Sequence, residues 1–150
     1  MKELTGSANG TTPASPEACI ALLAAVDRYP DWYPEVVKSV EVLERDPAGQ
    51  PTKAQTKLHV QYGPLVHDFD VTMSVSVDPQ QGTVKLHRIP HGPSDGEKFV
   101  VDWGVDGGSG TQIRLNLAAN LDVPRFLPLG TVGDAMAGGF VSAATRALAR

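Results

Sequence analysis

The fold is decided by two stretches of alternating sequence, KAQTKLHVQY at residues 53–62 and DFDVTMSVSV at residues 68–77. Apolar and polar side chains take turns along both stretches, which is typical of β-strands with one buried face and one solvated face. Gly63 and Pro64 lie between the two stretches and favour a turn. We therefore expect these stretches to form two antiparallel strands.

The alternation continues toward the C-terminus, where three more strands are predicted at residues 83–88, 98–105 and 112–117. The first of these follows a turn at residues 79–82, and a glycine-rich turn at residues 106–110 joins the last two. Apolar side chains occupy every second position in all five strands. One continuous dry face of an antiparallel sheet is expected from them.

Helical patterns flank the strands on both sides. The Ser15-Pro16-Glu17 segment supplies an N-cap, a first-turn proline and an acidic group for the positive end of the helix dipole. It predicts a helix that runs to about Ala25. The Tyr29-Pro30 pair is then predicted to break the chain and to leave residues 31–34 irregular.

A second helix is predicted over the alanine-rich residues 134–149. The apolar positions of this region form one stripe at helical spacing, made of Val132, Met136, Phe140, Ala143 and Ala147. Gly138 and Gly139 lie inside the helix, where each glycine costs about 1 kcal/mol relative to alanine. Close packing against the sheet is our preferred explanation, and a soft point that lets the helix move on ligand entry is the alternative.

The composition is that of a single soluble domain covering residues 1–150. The formal net charge of −4 and the scattered basic residues argue against nucleic acid as a partner. The single cysteine, Cys19, excludes an intrachain disulfide and suits a reducing compartment. Residues 1–12 lack the apolar core of a signal peptide, and no stretch approaches the roughly 18 apolar residues of a membrane span. We expect a cytoplasmic protein without membrane insertion.

The sequence carries no pattern typical of a metal or nucleotide site. Histidines at helical spacing and clusters of cysteines are absent, and so is a phosphate-binding glycine loop. We therefore expect neither a metal nor a cofactor.

One turn motif and its surroundings indicate a known family. Residues 27–34 read DRYPDWYP, an Ala-Ser-Pro-Glu helix start at residues 14–17 precedes them, and the strand-like residues 40–43 follow. Together with the long antiparallel run and the C-terminal helix, this order resembles the START-like (Bet v 1-like, SRPBCC) superfamily. Within it, the order is similar to the polyketide cyclase/dehydrase and lipid-transport branch.

The resemblance implies an α+β helix-grip fold. In this fold a curved antiparallel sheet of about six to seven strands wraps around a C-terminal helix, and two short helices follow the first strand. A first strand at about residues 4–12 is expected from the resemblance alone, because Gly6, Ala8 and Gly10 have poor strand propensity. Their small side chains leave room either for a ligand or for the C-terminal helix.

The resemblance further implies a cavity between sheet and helix for a small hydrophobic molecule, such as a lipid, a polyketide or a quinone. Trp32 and Tyr33 are expected at its mouth. The residues expected to line the cavity are Trp32, Tyr33, Thr56, Leu58, Val60, Tyr62, His67, Phe69, Val71, Met73, Arg88, Phe99, Val101, Trp103, Leu115, Phe126, Met136 and Phe140.

Polar groups at inward positions are the candidates for specific contacts. His67 could contact a ligand or act as a general base, although a strand-end histidine partly in solvent is the preferred reading. Arg88 ends the segment TVKLHR, which is similar to a strand of aromatase/cyclases whose arginine can orient the oxygens of a polyketide. An arginine that reaches out to solvent at the rim is the preferred alternative.

Three functions remain open at this point. Binding or carriage of a hydrophobic ligand is preferred, because the expected lining carries few ionisable groups. A polyketide cyclase or aromatase is the second reading, with Arg88, Tyr62 and Tyr33 orienting the substrate. A protein-interaction member of the same family is the third, and it would have a small filled cavity and an exposed apolar patch. The sequence predicts no particular ligand and no oligomeric state.

Overall fold

The computed structural model describes residues 2–62, 65–108, 110–121 and 131–149. Seven strands form one curved antiparallel sheet in the order β1-β7-β6-β5-β4-β3-β2. The strands are β1 (Lys2–Thr12), β2 (Val37–Arg45), β3 (Pro51–Tyr62), β4 (Leu65–Asp78), β5 (Thr83–Arg88), β6 (Phe99–Asp106) and β7 (Thr111–Leu121). Together with the helices described next, this architecture confirms the α+β helix-grip fold.

The described residues also form three helices, namely α1 (Pro16–Ala24), α2 (Tyr29–Trp32) and α3 (Val132–Leu148). The start of α1 is as predicted, because the Ser15 hydroxyl accepts a hydrogen bond from the backbone N–H of Ala18 at 3.1 Å. The irregular conformation predicted for residues 31–34 is wrong in its first half, since a 3₁₀ turn at Val26–Arg28 leads directly into α2. Pro30 is tolerated in the first turn of α2, where a backbone donor has no intrahelical partner.

The helix α3 packs on β1 and on the neighbouring strand β7. A Cβ atom on Gly6 would lie 2.0 Å from the backbone of Gly133, and one on Gly133 would lie 1.8 Å from the carbonyl oxygen of Thr5. The two backbones therefore meet without a side chain between them. Asp134 adds a hydrogen bond at this crossing, because its carboxylate accepts the N–H of Ser7 at 3.0 Å. Glycine in β1 makes room for the helix here, not for a ligand.

The apolar core fills the space between the inner face of the sheet and α3. The predicted stripe of α3 faces this core, with Val132, Met136, Phe140 and Ala143 buried and Ala147 half-buried. Within the described residues, no helix is long and apolar enough to span a membrane.

Candidate functional site

An apolar cavity lies between the inner face of the sheet and α3; we call it the inner cavity. Strand pairing brings its wall residues together, since Thr56 lies opposite Val71 and Leu86 lies opposite Val101. The described residues that line it are Tyr29, Val37, Thr56, Leu58, Val71, Met73, Leu86, Phe99, Val101 and Phe140.

Two side chains of this lining carry a polar group. Thr56 is half-buried. Tyr29 is 4% exposed, and its hydroxyl donates to the backbone carbonyl of Leu23 at 2.7 Å. Burial raises the pKa of Tyr29 well above its usual range, so this phenol stays neutral. The lining offers hydrogen bonds but no charge.

The inner cavity is small, with a free volume of ≈ 30 Å³. A buried water requires roughly 10–15 Å³, whereas small-molecule sites usually have about 300–1,000 Å³. A ligand larger than a few atoms therefore needs the walls to move. Met73 is the wall residue best suited to this, because its unbranched side chain adopts many rotamers.

A second hollow adjoins the inner cavity and has a free volume of ≈ 70 Å³. We call it the polar recess; its lining consists of His67, Phe69, Val71, Arg88, Glu97, Lys98, Phe99 and Asn120. Val71 and Phe99 line both hollows. The ring of Phe99 meets the ring of Phe69 edge-on, with the centroids 4.8 Å apart. These side chains form the partition between the inner cavity and the polar recess.

Arg88 lies in the polar recess with its guanidinium already paired. Its Nη2 donates to the Asp95 carboxylate at 2.7 Å and lies 3.5 Å from the Glu97 carboxylate, while its Nη1 donates to the carbonyl oxygen of Glu97 at 3.1 Å. The preferred expectation of an arginine that reaches into solvent is wrong, because the side chain is 6% exposed. The hydrogen bond to Asp95 raises the pKa of Arg88 and holds the pKa of the Asp95 carboxyl well below its usual range.

The same contacts tie down the loop at residues 89–98. The Asp95 carboxylate also accepts the backbone N–H groups of His91 at 2.9 Å and Glu97 at 3.0 Å. From the other side, the Asn120 amide donates to the carbonyl oxygen of Gly96 at 3.0 Å. The contacts of Arg88 therefore hold this loop against the end of β5.

Tyr33 and Tyr62 meet on α3, with their hydroxyl oxygens 3.1 Å apart. A Cβ atom on Gly139 would lie 2.3 Å from the Tyr33 hydroxyl and 2.8 Å from the Tyr62 hydroxyl, so close packing explains this glycine. Burial and the hydrogen bond with Tyr62 raise the pKa of Tyr33 well above its usual range. The predicted position of Trp32 and Tyr33 at a mouth is wrong, because both are buried and Tyr33 packs edge-on against Phe140 at 4.9 Å.

The structure divides the predicted lining residues into groups. Those that line the inner cavity are Thr56, Leu58, Val71, Met73, Phe99, Val101 and Phe140. Those found in the polar recess are His67, Phe69 and Arg88, together with the shared Val71 and Phe99. Those that pack in the core or against it are Trp32, Tyr33, Val60, Tyr62, Trp103, Leu115 and Met136. Phe126 lies outside the described residues.

Tyr29, Val37 and Leu86 line the inner cavity although they are not among the predicted lining residues. Leu86 has the inward parity of its strand, so the alternation could have found it. Val37 lies before residues 40–43, from which its strand is predicted, and Tyr29 lies in a segment predicted to break the chain. These two residues can be recognised as lining residues only when the packing of α2 on the sheet is known.

The other histidines lie away from the cavity. His59 contacts Asp68 at 2.6 Å and His87 contacts Asp102 at 2.8 Å, and all four side chains are at least partly exposed to solvent. His91 is exposed in the loop after β5. In the part of the chain that the structure describes, no three His, Cys, Asp or Glu side chains are grouped to hold a metal ion.

A larger groove of ≈ 590 Å³ runs along α1. Its walls mix apolar residues such as Ile20 and Val77 with polar ones such as Glu17, Gln50 and Gln80. Water reaches these walls, so an apolar ligand would gain less from desolvation in the groove than in the inner cavity. The inner cavity is the better candidate for a ligand site.

One family model matches most of this chain. The model for polyketide cyclase / dehydrase and lipid transport matches residues 12–149. The chain belongs to this family. A search of curated protein sequences finds no match.

Several solved structures share the fold of this polyketide cyclase/dehydrase and lipid-transport chain. A START superfamily protein from Mycobacterium smegmatis is 16% identical over 97% of each chain, with a TM-score of 0.71. A major latex-like protein from Panax ginseng is 11% identical, with 97% of this chain and 95% of that chain covered and a TM-score of 0.62. The Zhui aromatase/cyclase of a Streptomyces species is 18% identical, covers 98% of this chain and 87% of its own, and has a TM-score of 0.57. At these identities the likeness shows the shared fold.

Proposed function

We propose that this chain binds a small hydrophobic molecule in the inner cavity and carries it unchanged. The observation that carries the proposal is the chemistry of the lining, which consists of apolar side chains, the Thr56 hydroxyl and a neutral Tyr29. Burial of apolar ligand surface contributes about 25 cal/mol per Å². A charged ligand group would lose its hydration without gaining a partner. The ligand is therefore neutral and mostly apolar, and Thr56 is the partner for any polar group that it places in the inner cavity.

The cyclase alternative depends on Arg88, Tyr62 and Tyr33. The Arg88 guanidinium already contacts Asp95 and Glu97, and the two phenols contact each other. None of the three belongs to the described lining of the inner cavity. These existing contacts would have to break before the three groups could orient a substrate. A carrier does not depend on these groups. These contacts favour the carrier over the cyclase.

The protein-interaction alternative is consistent with the small free volume of the inner cavity. It also requires an exposed apolar patch. In the described part of the chain, the large apolar side chains that are exposed are Leu43 at 45% and Val66 at 60%. They lie on β2 and β4, with β3 between these strands. This arrangement gives the alternative less support than the apolar cavity gives the carrier.

Blocking the inner cavity tests the proposal. Val101 and Val105 lie on β6, are 5% and 6% exposed, and face the core. Val101 lines the inner cavity, whereas Val105 lines the groove along α1. We expect Val101→Phe to weaken binding of the neutral fluorescent probe 1-aminoanthracene by about fivefold or more, because the added ring takes up the space that the probe needs and overpacking costs roughly 1–3 kcal/mol.

Val105→Phe is the matched control, because it places the same ring on the same strand at a similarly buried position. Its probe affinity should stay close to that of the wild-type chain, and circular dichroism should show both variants folded. Equal weakening by the two variants, or no probe binding by the wild-type chain, would contradict the proposal.

A further inference from the structure

We propose that Phe99 sets the length of the ligand that this chain accepts, an inference that rests on the proposed binding function. Phe99 belongs to the lining of the inner cavity and to the lining of the polar recess. Free volume of ≈ 30 Å³ lies on one side of it and ≈ 70 Å³ on the other. Removal of its ring joins the two hollows into one elongated cavity.

The position of the ring follows from the ends of the strands. The last residue pair between β4 and β5 joins Met73 to Arg88, whereas β4 itself begins eight residues earlier, at Leu65. This part of β4 has no partner from β5. The rings of Phe69 on β4 and Phe99 on β6 meet across the gap, with their planes inclined by 65°. The edge-to-face contact between these rings thus fills the gap in the sheet beyond the end of β5.

Two further contacts hold this closure in place. The ring of His67 packs edge-on against Phe69, with the centroids 4.5 Å apart. Phe99 is 5% exposed and lies opposite Ala119 of β7, which leaves space for the larger ring. The partition is therefore a packed part of the core, and a ligand chain that grows beyond the inner cavity runs into it.

The chemistry of the polar recess defines what a longer ligand would place there. The charged groups at the recess already have partners, since Arg88 contacts Asp95 at 2.7 Å and Glu97 at 3.5 Å, and Lys98 contacts Glu3 at 3.5 Å. His67 and Asn120 add hydrogen-bonding groups to the lining. An uncharged polar end, such as a hydroxyl or a ketone, suits this recess, with the apolar body of the ligand in the inner cavity.

The test is a chain-length series of 1-alkanols that compete with 1-aminoanthracene. For the wild-type chain, affinity should rise about fourfold per methylene, the value of one buried CH₂, and then stop rising where the chain meets Phe99. For Phe99→Ala the rise should continue for at least two more methylenes, which is a gain of about 16-fold for the longer alcohols. The ring protons of His67 should shift in the NMR spectrum when these longer alcohols bind to the variant.

Leu86→Ala is the matched control, because Leu86 lines the inner cavity and is not part of the lining of the recess. It should strengthen binding of short alcohols without moving the length limit or the His67 signals. Phe99→Leu keeps an apolar side chain and replaces the alanine variant if that variant does not fold. It should raise the limiting length of the alkanol by about one methylene.

An unchanged length limit in both Phe99 variants would overturn the inference, and so would an equal extension by Leu86→Ala. Failure of the proposed function has a different signature, because the wild-type chain would then bind neither the probe nor any alkanol.

Discussion

Gly139 is the residue at which the helix α3 accommodates two phenols. The hydroxyls of Tyr33 and Tyr62 occupy the space that a side chain would fill, and a Cβ atom would lie 2.3 Å from the first of them. Tyr33 cannot retreat easily, because it is 5% exposed and packs on Phe140 and Trp32. We expect Gly139→Ala to lower the free energy of unfolding by about 1–3 kcal/mol, as overpacking does. Urea denaturation measures this change.

Gly138 is the control, since a Cβ atom there would meet no described atom within 4 Å. Gly138→Ala should raise stability by up to about 1 kcal/mol through helix propensity. The double variant Tyr33→Phe/Gly139→Ala should recover part of the loss, because the clashing hydroxyl is gone. If Gly139→Ala were as stabilising as Gly138→Ala, the tyrosine contact would have no energetic role.

At the scale of elements, the loop at residues 89–98 depends on one carboxylate. Asp95 accepts hydrogen bonds from Arg88 and from two backbone N–H groups, and its pKa in the folded chain lies below its usual value. The unfolded chain therefore takes up the proton first as the pH falls. The stabilisation is complete above about pH 5 and is lost as the pH falls through the unfolded pKa toward the folded pKa.

Asp95→Asn removes this contribution, so its free energy of unfolding should fall less than that of the wild-type chain between pH 7 and pH 3. Urea denaturation at the two pH values measures the difference. Asp31→Asn is the control, because Asp31 is exposed and its ion pair with Arg28 is 3.7 Å long. Identical acid sensitivity in the wild-type chain and Asp95→Asn would refute the assigned role of this carboxylate.

The sequence predicts some elements better than others. Elements that depend on a local pattern are evident from the sequence, whereas elements that depend on contacts between distant residues are not. The pattern of residues 53–62 and 68–77 is local, so β3 and β4 follow from alternation. The strand β1 carries Gly6 and Gly10, whose strand propensity is poor, but it pairs with β7 along its whole length and α3 packs on both glycines. The helix α2 is stabilised by burial of Tyr29 and Trp32 in the core, which the local signal at Pro30 does not reveal.

At the scale of the whole molecule, the alternation of apolar and polar residues predicts which side chains point inward but not which groups they contact inside. Leu58 and Val101 line the inner cavity, whereas Val60 and Trp103 share the same parity and pack in the core. The difference lies in where α3 approaches the sheet, a property of the assembled fold. For the same reason the sequence favours an arginine that reaches into solvent at position 88. Alternation gives Arg88 an inward position, but it does not reveal Asp95 and Glu97, which bind the guanidinium from the following loop.

The central claim is that an apolar ligand enters the space between the sheet and α3. The methionine methyl groups report on it directly, because Met73 lines the inner cavity whereas Met136 is buried in α3 and does not belong to that lining. The most direct measurement is an NMR experiment on ¹³C-methyl-methionine protein with 1-aminoanthracene, using Met136→Leu to assign the signals. We predict intermolecular NOEs between the probe and the Met73 methyl group. A bound probe without NOEs to Met73 would contradict the claim, as would the absence of binding.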